Sequence, residues 1–304
     1  MGPRRLPDQE VVSGRLKSRS FGRGITVDNW KRALVRTPFL GRFALIIYRT
    51  RRALSYYYAP LFNLAKWLFH SNEYTNFTYN LERNNERYLA SLIADLVNSD
   101  FSTILGYMDE AERDSELKRH IEETTAASPF ASLADREIRF GRRLGWYAFV
   151  RAMKPQVVIE TGVDKGLGAC LLSAALMRNS EEGHEGKYFG TEINPDAGYL
   201  LSGKYAEYGR ILYGDSIETL KSFNSNVDLF INDSDHSADY EEREYEIVAP
   251  KLSECAIVLG DNSHATDKLL NFSLKHGRRF IFFAEKPSDH WCPGGGIGIS
   301  LSGR

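Results

Sequence analysis

The chain has 304 residues, a net charge of −1 and the hydrophobic (42%) and charged (26%) content of an ordinary soluble globular protein. No uncharged apolar run reaches the length of a membrane span, and the three widely spaced cysteines exclude a disulfide framework or zinc knuckle, so we expect a cytoplasmic protein. The small net charge is the sum of a basic N-terminal segment and an acidic remainder. Residues 1–70 contain 14 Lys and Arg against three acidic residues, a net charge of +11, which leaves −12 for the remainder.

The front of the chain is predicted to differ from the rest in organisation. Residues 1–28 are rich in Arg, Ser and Gly, which predicts a disordered basic tail. Residues 29–134 are predicted to form a helical N-terminal extension or cap, with its first helices broken near Pro38 and Pro60 and helix again over 81–125.

Arg and Lys alternate with Trp, Tyr and Phe through residues 29–70. This composition fits three interpretations. We rank a helical cap or homodimer arm first and peripheral contact with the inner face of a membrane second. Nucleic-acid binding ranks third, because no RNA-binding module signature accompanies the basic residues.

Residues 135–304 are predicted to form one α/β domain, which begins with a helix over 135–153. Short apolar runs then alternate with helical patterns, and this indicates a parallel sheet covered by helices. The predicted strands are 156–161, 187–192, 210–214, 227–232, 256–260, 279–285 and 297–302. The predicted helices are 166–178, 196–208, 216–223, 238–252 and 264–276. Ligands of such sheets bind beyond the carboxyl ends of the strands, so functional residues are expected there.

The first strand ends in a glycine-rich turn that leads into a helix, an arrangement typical of nucleotide-binding corners. Gly162, Gly166 and Gly168 give the spacing G-x-x-x-G-x-G, which is neither the dinucleotide fingerprint nor a P-loop. Glu160 at the strand end would repel a pyrophosphate but suits a cationic ligand such as S-adenosylmethionine (SAM).

The next two strands also end at acidic residues. Glu192 follows the second strand, where a carboxylate can accept hydrogen bonds from both ribose hydroxyls of an adenosine. Asp215 and Ser216 follow the third strand and are candidates for contact with the adenine. Asp215 is equally well placed to cap the following helix, and we keep both interpretations.

The fourth and fifth strands end in Asp233 and in Asp261-Asn262. Adjacent parallel strands would bring these residues together, and their oxygen atoms suit Mg²⁺. The alternative is that these residues cap helices or make Asx turns. His236 and His264 lie three residues beyond the two aspartates, and a neutral imidazole there is a candidate general base.

With these residues placed, about residues 138–301 resemble the class I SAM-dependent methyltransferases. The likeness is in particular to the divalent-metal-dependent O-methyltransferases of the catechol and caffeoyl-CoA type and to bacterial sugar O-methyltransferases. Glu160-Thr161-Gly162 resembles the family's first SAM motif, and Asp261-Asn262 resembles its metal-binding pair. Asp233, which the family pattern also makes a metal ligand, opens a D-x-D-H element in which His236 replaces the family's catalytic lysine.

The resemblance implies a Rossmann-like fold with a seven-stranded, mostly parallel sheet and an antiparallel last strand, in addition to the helical extension. It implies SAM and Mg²⁺ as cofactors, and transfer of a methyl group to a hydroxyl of a small molecule, sugar or glycolipid. Two other classes compete. A NAD-dependent oxidoreductase is disfavoured by the glycine spacing. A non-catalytic SAM- or nucleotide-binding protein would keep the site without its chemistry.

Overall fold

The computed structural model describes residues 38–74, 78–135, 137–235, 237–261 and 263–303. The predicted tail 1–28, the candidate base His236 and the candidate metal ligand Asn262 therefore lie outside the described residues. The chain divides into two compact units, Met1–Tyr57 and Tyr58–Arg304. The domain boundaries predicted after residues 28 and 134 stay predictions.

Helix α1 (Pro38–Leu54) lies in the first unit. The second unit begins with α2 (Tyr58–His70). The predicted break near Pro60 is confirmed, because α1 ends at Leu54 and α2 begins at Tyr58, with Pro60 in its first turn. Pro38 begins α1, and the residues before it lie outside the described ranges. Proline fits the first turn of a helix, where the missing N–H has no intrahelical acceptor.

The region predicted as helical over 81–125 is divided into three helices, α3 (Arg83–Leu96), α4 (Phe101–Arg113) and α5 (Ser115–Ala127). Asp114 separates the last two, and its carboxylate caps α5 by accepting the backbone N–H groups of Glu116 and Leu117. Helix α6 (Arg143–Met153) then leads to the sheet.

The predicted seven-stranded sheet is confirmed. Its strands are β1 (Val157–Thr161), β2 (Lys187–Glu192), β3 (Gly209–Tyr213), β4 (Val227–Asn232), β5 (Leu252–Gly260), β6 (Arg278–Ala284) and β7 (Gly296–Ser302). Their order is β3-β2-β1-β4-β5-β7-β6, and all neighbours are parallel except β7, which is antiparallel to both β5 and β6. The connecting helices are α7 (Leu167–Glu181), α8 (Ser216–Ser222), α9 (Ala238–Val248) and α10 (Lys268–Lys275).

The helix predicted over 196–208 is wrong. That segment contains only a short 3₁₀ turn at Gly203–Glu207. Gly198 has a φ of +77° and Gly203 a φ of +55°, and two left-handed residues so close together interrupt an α-helix.

The N-terminal helices share a hydrophobic core with one face of the sheet. Leu89 of α3, Ile104 of α4 and Phe149 of α6 are fully buried in the same cluster as Leu171 of α7. Each such side chain contributes about 1.5–3 kcal/mol relative to its exposure to water. The helices over 83–127 therefore stabilise the sheet that carries the strand ends. Within the described ranges, no helix combines the length and apolarity needed to cross a membrane.

Candidate active site

A cavity of about 600 Å³ opens at the carboxyl ends of the parallel strands. Six of the predicted site residues line it, namely Gly162, Glu192, Asp215, Ser216, Asp233 and Asp261. These residues follow or end β1 to β5, so the sheet brings together side chains that are far apart in the sequence. The position of the cavity agrees with the rule that open α/β sheets bind ligands beyond the carboxyl ends of their strands.

The glycine turn after β1 allows a close approach between two strand ends. Gly162 has a φ of +79°, and a Cβ atom there would collide with the carbonyl oxygen of Asp233 and the Cα atom of Ser234. Gly166 (φ +93°) is the N-cap residue directly before α7, and Gly168 leaves room for the carboxyl of Glu160 beside the first turn of that helix. The glycines therefore fix the shape of the turn, while only Gly162 of the three lines the cavity.

Glu160 is buried and does not line the cavity wall. The Tyr188 hydroxyl donates a hydrogen bond to its Oε2 at 2.5 Å. Burial raises the pKa of Glu160 to about 7, although the Tyr188 hydrogen bond and the charge of Arg143 act in the opposite direction. In the structure this carboxyl lies between Tyr188 and Gly168, and its predicted role toward a cationic ligand stays a prediction.

Glu192 lines the cavity and holds the glycine turn. Its Oε2 accepts backbone N–H groups from Val163 (3.1 Å) and Asp164 (3.0 Å), and its Oε1 accepts that of Asn194 (2.9 Å). The carboxylate thus connects the end of β2 to the turn after β1, and its predicted contact with a ribose stays a prediction.

Asp215 fills one of the two roles that the sequence left open, and its predicted contact with the adenine stays a prediction. It caps α8, since its Oδ1 accepts the Glu218 backbone N–H at 3.1 Å. It also lines the cavity, where its Oδ2 accepts the Tyr240 hydroxyl at 3.0 Å. The Ser216 hydroxyl lies 2.9 Å from the same Tyr240 oxygen.

A buried carboxylate that the sequence analysis missed lies beneath the site. Glu244 of α9 is fully buried and accepts hydrogen bonds from four side chains at the ends of β1 and β4 and the start of α8, namely Thr161 (3.1 Å), Ser216, Asn232 and Ser234 (2.7 Å). Burial raises the pKa of Glu244, and these hydrogen bonds oppose that rise. The predicted site residue Thr161 therefore does not line the cavity, and its hydroxyl donates a hydrogen bond to Glu244 instead.

Two arginines, Arg142 and Arg143, meet the aspartates of β4 and β5. Arg142 pairs with both carboxylate oxygens of Asp261: its Nη2 donates to Oδ2 at 2.7 Å, and its Nε forms an ion pair with Oδ1. Arg143 places its Nη2 3.8 Å from Oδ2 of Asp233.

The arginines separate the acidities of the two aspartates. Burial opposes ionisation of Asp261, but the charges of Arg142 and Arg143 and the hydrogen bonds to this carboxylate together outweigh it, and the pKa of Asp261 is lowered. Burial and the adjacent Asp261 charge raise the pKa of Asp233. A proton at this edge of the sheet is therefore held preferentially by Asp233.

The residues at this edge do not fit the divalent metal ion that the sequence predicted. Asp261 already binds a buried guanidinium through both oxygens, and a second guanidinium lies beside Asp233. A divalent cation bound to the same oxygens would face two positive charges in a poorly hydrated site. In the part of the chain that the structure describes, no group of three or more His, Cys, Asp and Glu side chains is arranged to hold a metal.

His264, the other candidate base, is exposed and does not line the cavity. A Cβ atom at Gly295 would lie 3.0 Å from its ring, which places it beside the turn before β7. Its predicted catalytic role is untested, as is that of His236.

Arg142 and Arg143 were missed as site residues. They lie at the start of α6, and Arg142 is 119 residues from Asp261 in the chain. The available signal was the pair of adjacent arginines in Gly141-Arg-Arg, within the helix predicted over 135–153 before the first strand.

Residues 159–263 match the family model described as "Methyltransferase domain". These residues form a methyltransferase domain. The match spans the glycine turn and the ends of β2 to β5, so it covers the strand-end residues of the cavity that were predicted from the sequence. No curated protein matches the chain.

Solved structures with a similar architecture include an O-methyltransferase from Bacillus cereus in complex with SAH, at 13% identity and a TM-score of 0.47, covering 63% of this chain and 92% of that one. Another is the SAH-bound methyltransferase PaMTH1 from Podospora anserina, at 18% identity and a TM-score of 0.44, covering 64% and 93%.

Proposed function

We propose that this chain is a SAM-dependent O-methyltransferase that acts on a hydroxyl of a small molecule, sugar or glycolipid. The observation that carries the proposal is that Gly162, Glu192 and Asp215, all within the range matched to the methyltransferase domain, line one cavity. Two carboxylates and a close backbone approach suit a nucleoside with a cationic sulfur. When bound, SAM would supply an electrophilic methyl group on a sulfonium.

The chain's own residues have separate tasks in this proposal. Glu192 would accept ribose hydroxyls, and Asp215 would face the adenine. At the other end of the cavity, Asp233 and Arg143 would orient the acceptor hydroxyl, since orientation of the reacting atoms contributes much of the rate in such transfers. His236 remains the predicted proton acceptor, and the described carboxyl nearest to it in sequence is that of Asp235, which lines the cavity. No step is assigned to a metal ion, because the paired arginines do not fit one.

Calorimetric titration of the purified protein with SAM tests the cofactor assignment. We expect micromolar affinity in wild type and a loss of about tenfold or more in Glu192→Ala, since hydrogen bonds to a charged group contribute roughly 1.5–3 kcal/mol. Absence of SAM binding in wild type would overturn the proposal. SAM binding without production of SAH from any hydroxylated acceptor would favour the non-catalytic alternative.

Chelation tests the role of metal. We expect the same turnover before and after dialysis against EDTA, because Arg142 already neutralises Asp261. Loss of turnover that returns on addition of Mg²⁺ would restore the metal prediction and contradict our interpretation of Arg142.

A further inference from the structure

Helices α1 and α2 expose apolar side chains that no feature of the proposed active site uses. Most of the large hydrophobic side chains exposed among the described residues lie between Phe39 and Phe69. Single exposed hydrophobic residues are normal, but exposed faces of this kind on a soluble domain mark interaction sites.

Helix α2 is anchored on one side only. Its Asn63 side-chain amide donates to the carbonyl of His290 at 3.3 Å, and the ring of Trp67 lies 5.4 Å from that of Trp291. The opposite side presents exposed residues at helical spacing, namely Tyr58, Leu61, Phe62, Leu68 and Phe69. Phe69 is 83% exposed and Phe62 71% exposed.

Helix α1, considered by itself, carries a second apolar stripe. Phe39, Phe43, Ile46 and Ile47 have the i, i+4, i+7, i+8 spacing of one helix face, and all four are exposed. Its four arginines, Arg42, Arg49, Arg51 and Arg52, are exposed as well. This is the pattern of helices that lie in a lipid interface.

The charge of residues 29–72 favours an anionic partner. No acidic residue occurs between Asp28 and Glu73. Self-association through α1 would bring arginines of like charge together, which opposes a homodimer. Nucleic acid would use the arginines but leave aliphatic side chains such as Ile46 and Leu61 in water. An anionic lipid surface would attract the arginines through its headgroups and bury the apolar stripes among its acyl chains.

We propose that the exposed apolar stripes of α1 and α2 bind an anionic membrane surface. The helices have 17 and 13 residues, shorter than the roughly 20 needed to span a bilayer, so they lie in the interface. This inference is independent of the methyl-transfer chemistry.

Co-sedimentation of the full chain with lipid vesicles tests the proposal. We expect binding to vesicles containing phosphatidylglycerol, weak binding to pure phosphatidylcholine, and weakening with added salt. The double variant Phe62→Glu/Phe69→Glu should bind at least about tenfold more weakly, because both side chains would lose contact with acyl chains. The triple variant Arg49→Gln/Arg51→Gln/Arg52→Gln should bind anionic vesicles about 100-fold more weakly, with no change in its binding to phosphatidylcholine vesicles.

Leu274→Glu is the matched control, since Leu274 is 69% exposed on α10, outside both stripes, and its change should leave vesicle binding intact. Circular dichroism verifies that each variant folds. The proposal is overturned if wild type binds neither kind of vesicle, or if the Phe62/Phe69 double variant binds as wild type does. Dimerisation or RNA binding lost in these variants, without any vesicle binding, would assign the surface to a second copy or to nucleic acid instead.

Discussion

Glu160 is a buried carboxyl whose protonation is coupled to folding. Its pKa rises from 4.5 to about 7 on folding, with burial as the main cause. The folded state therefore holds a proton more tightly than the unfolded state, and this residue's contribution favours folding at low pH and is lost as pH rises from about 4.5 to about 7.

Glu160→Gln should remove that dependence while keeping the Tyr188 hydrogen bond. We expect the variant to gain stability relative to wild type between pH 5 and pH 8, by at most about 3 kcal/mol. Urea unfolding at the two pH values measures this difference, with exposed Glu122→Gln as the control. A stability difference between variant and wild type that is equal at both pH values would show that Glu160 does not titrate on folding.

Glu244 should matter far more to stability than its helix neighbour Glu246. Glu244→Ala leaves four donors without their acceptor, three of them buried, which we expect to lower the free energy of unfolding by about 3–5 kcal/mol. Glu246 pairs at the surface with Lys275 (2.8 Å), and its change to alanine should have an effect below about 1 kcal/mol. Similar losses in both variants, measured by denaturant unfolding, would argue against a structural role for the buried network.

At the scale of elements, the strands were predicted well because a buried strand appears in the sequence as a short apolar run between two turns. The start of β5 was predicted four residues late, since Glu254 and Cys255 are exposed and break the apolar pattern. The strand-end acids were found because topology alone places them. Arg142, Arg143 and Glu244 were not found, because their contacts depend on packing between elements that are distant in the chain.

The contact between the ends of β1 and β4 can be isolated with two glycines. Gly162 and Gly183 have φ values of +79° and +85°, but only Gly162 faces neighbouring backbone, whereas a Cβ at Gly183 would have nothing within 4 Å. Gly183→Ala should cost about 1 kcal/mol from backbone strain alone. Gly162→Ala should cost roughly 3 kcal/mol or more and weaken SAM binding, because strain is joined by overlap with Asp233. Thermal unfolding measures the stability of the two variants, and calorimetry measures their affinity for SAM. Equal effects in both variants would exclude a special role for the close approach of Gly162 to Asp233.

At the scale of the whole molecule, the site belongs to the second unit. Every residue that lines the cavity follows residue 72, and the complete sheet lies in Tyr58–Arg304. A chain lacking residues 1–57 should therefore fold with an unchanged affinity for SAM within about twofold. Calorimetric titration of the shortened chain measures this, and a large loss of affinity would place part of the binding site in the first unit.

The position of β7 has a consequence for how the chain is made. Strand β7 lies between β5 and β6 and pairs with both, although it follows both in the sequence. During synthesis, β5 therefore has an open edge and β6 has no partner in the sheet until residue 302 has left the ribosome. Unpaired edges of apolar strands readily associate with other chains. A nascent chain that stalls between β6 and β7 would expose the buried run of Ile257, Val258 and Leu259 to that hazard.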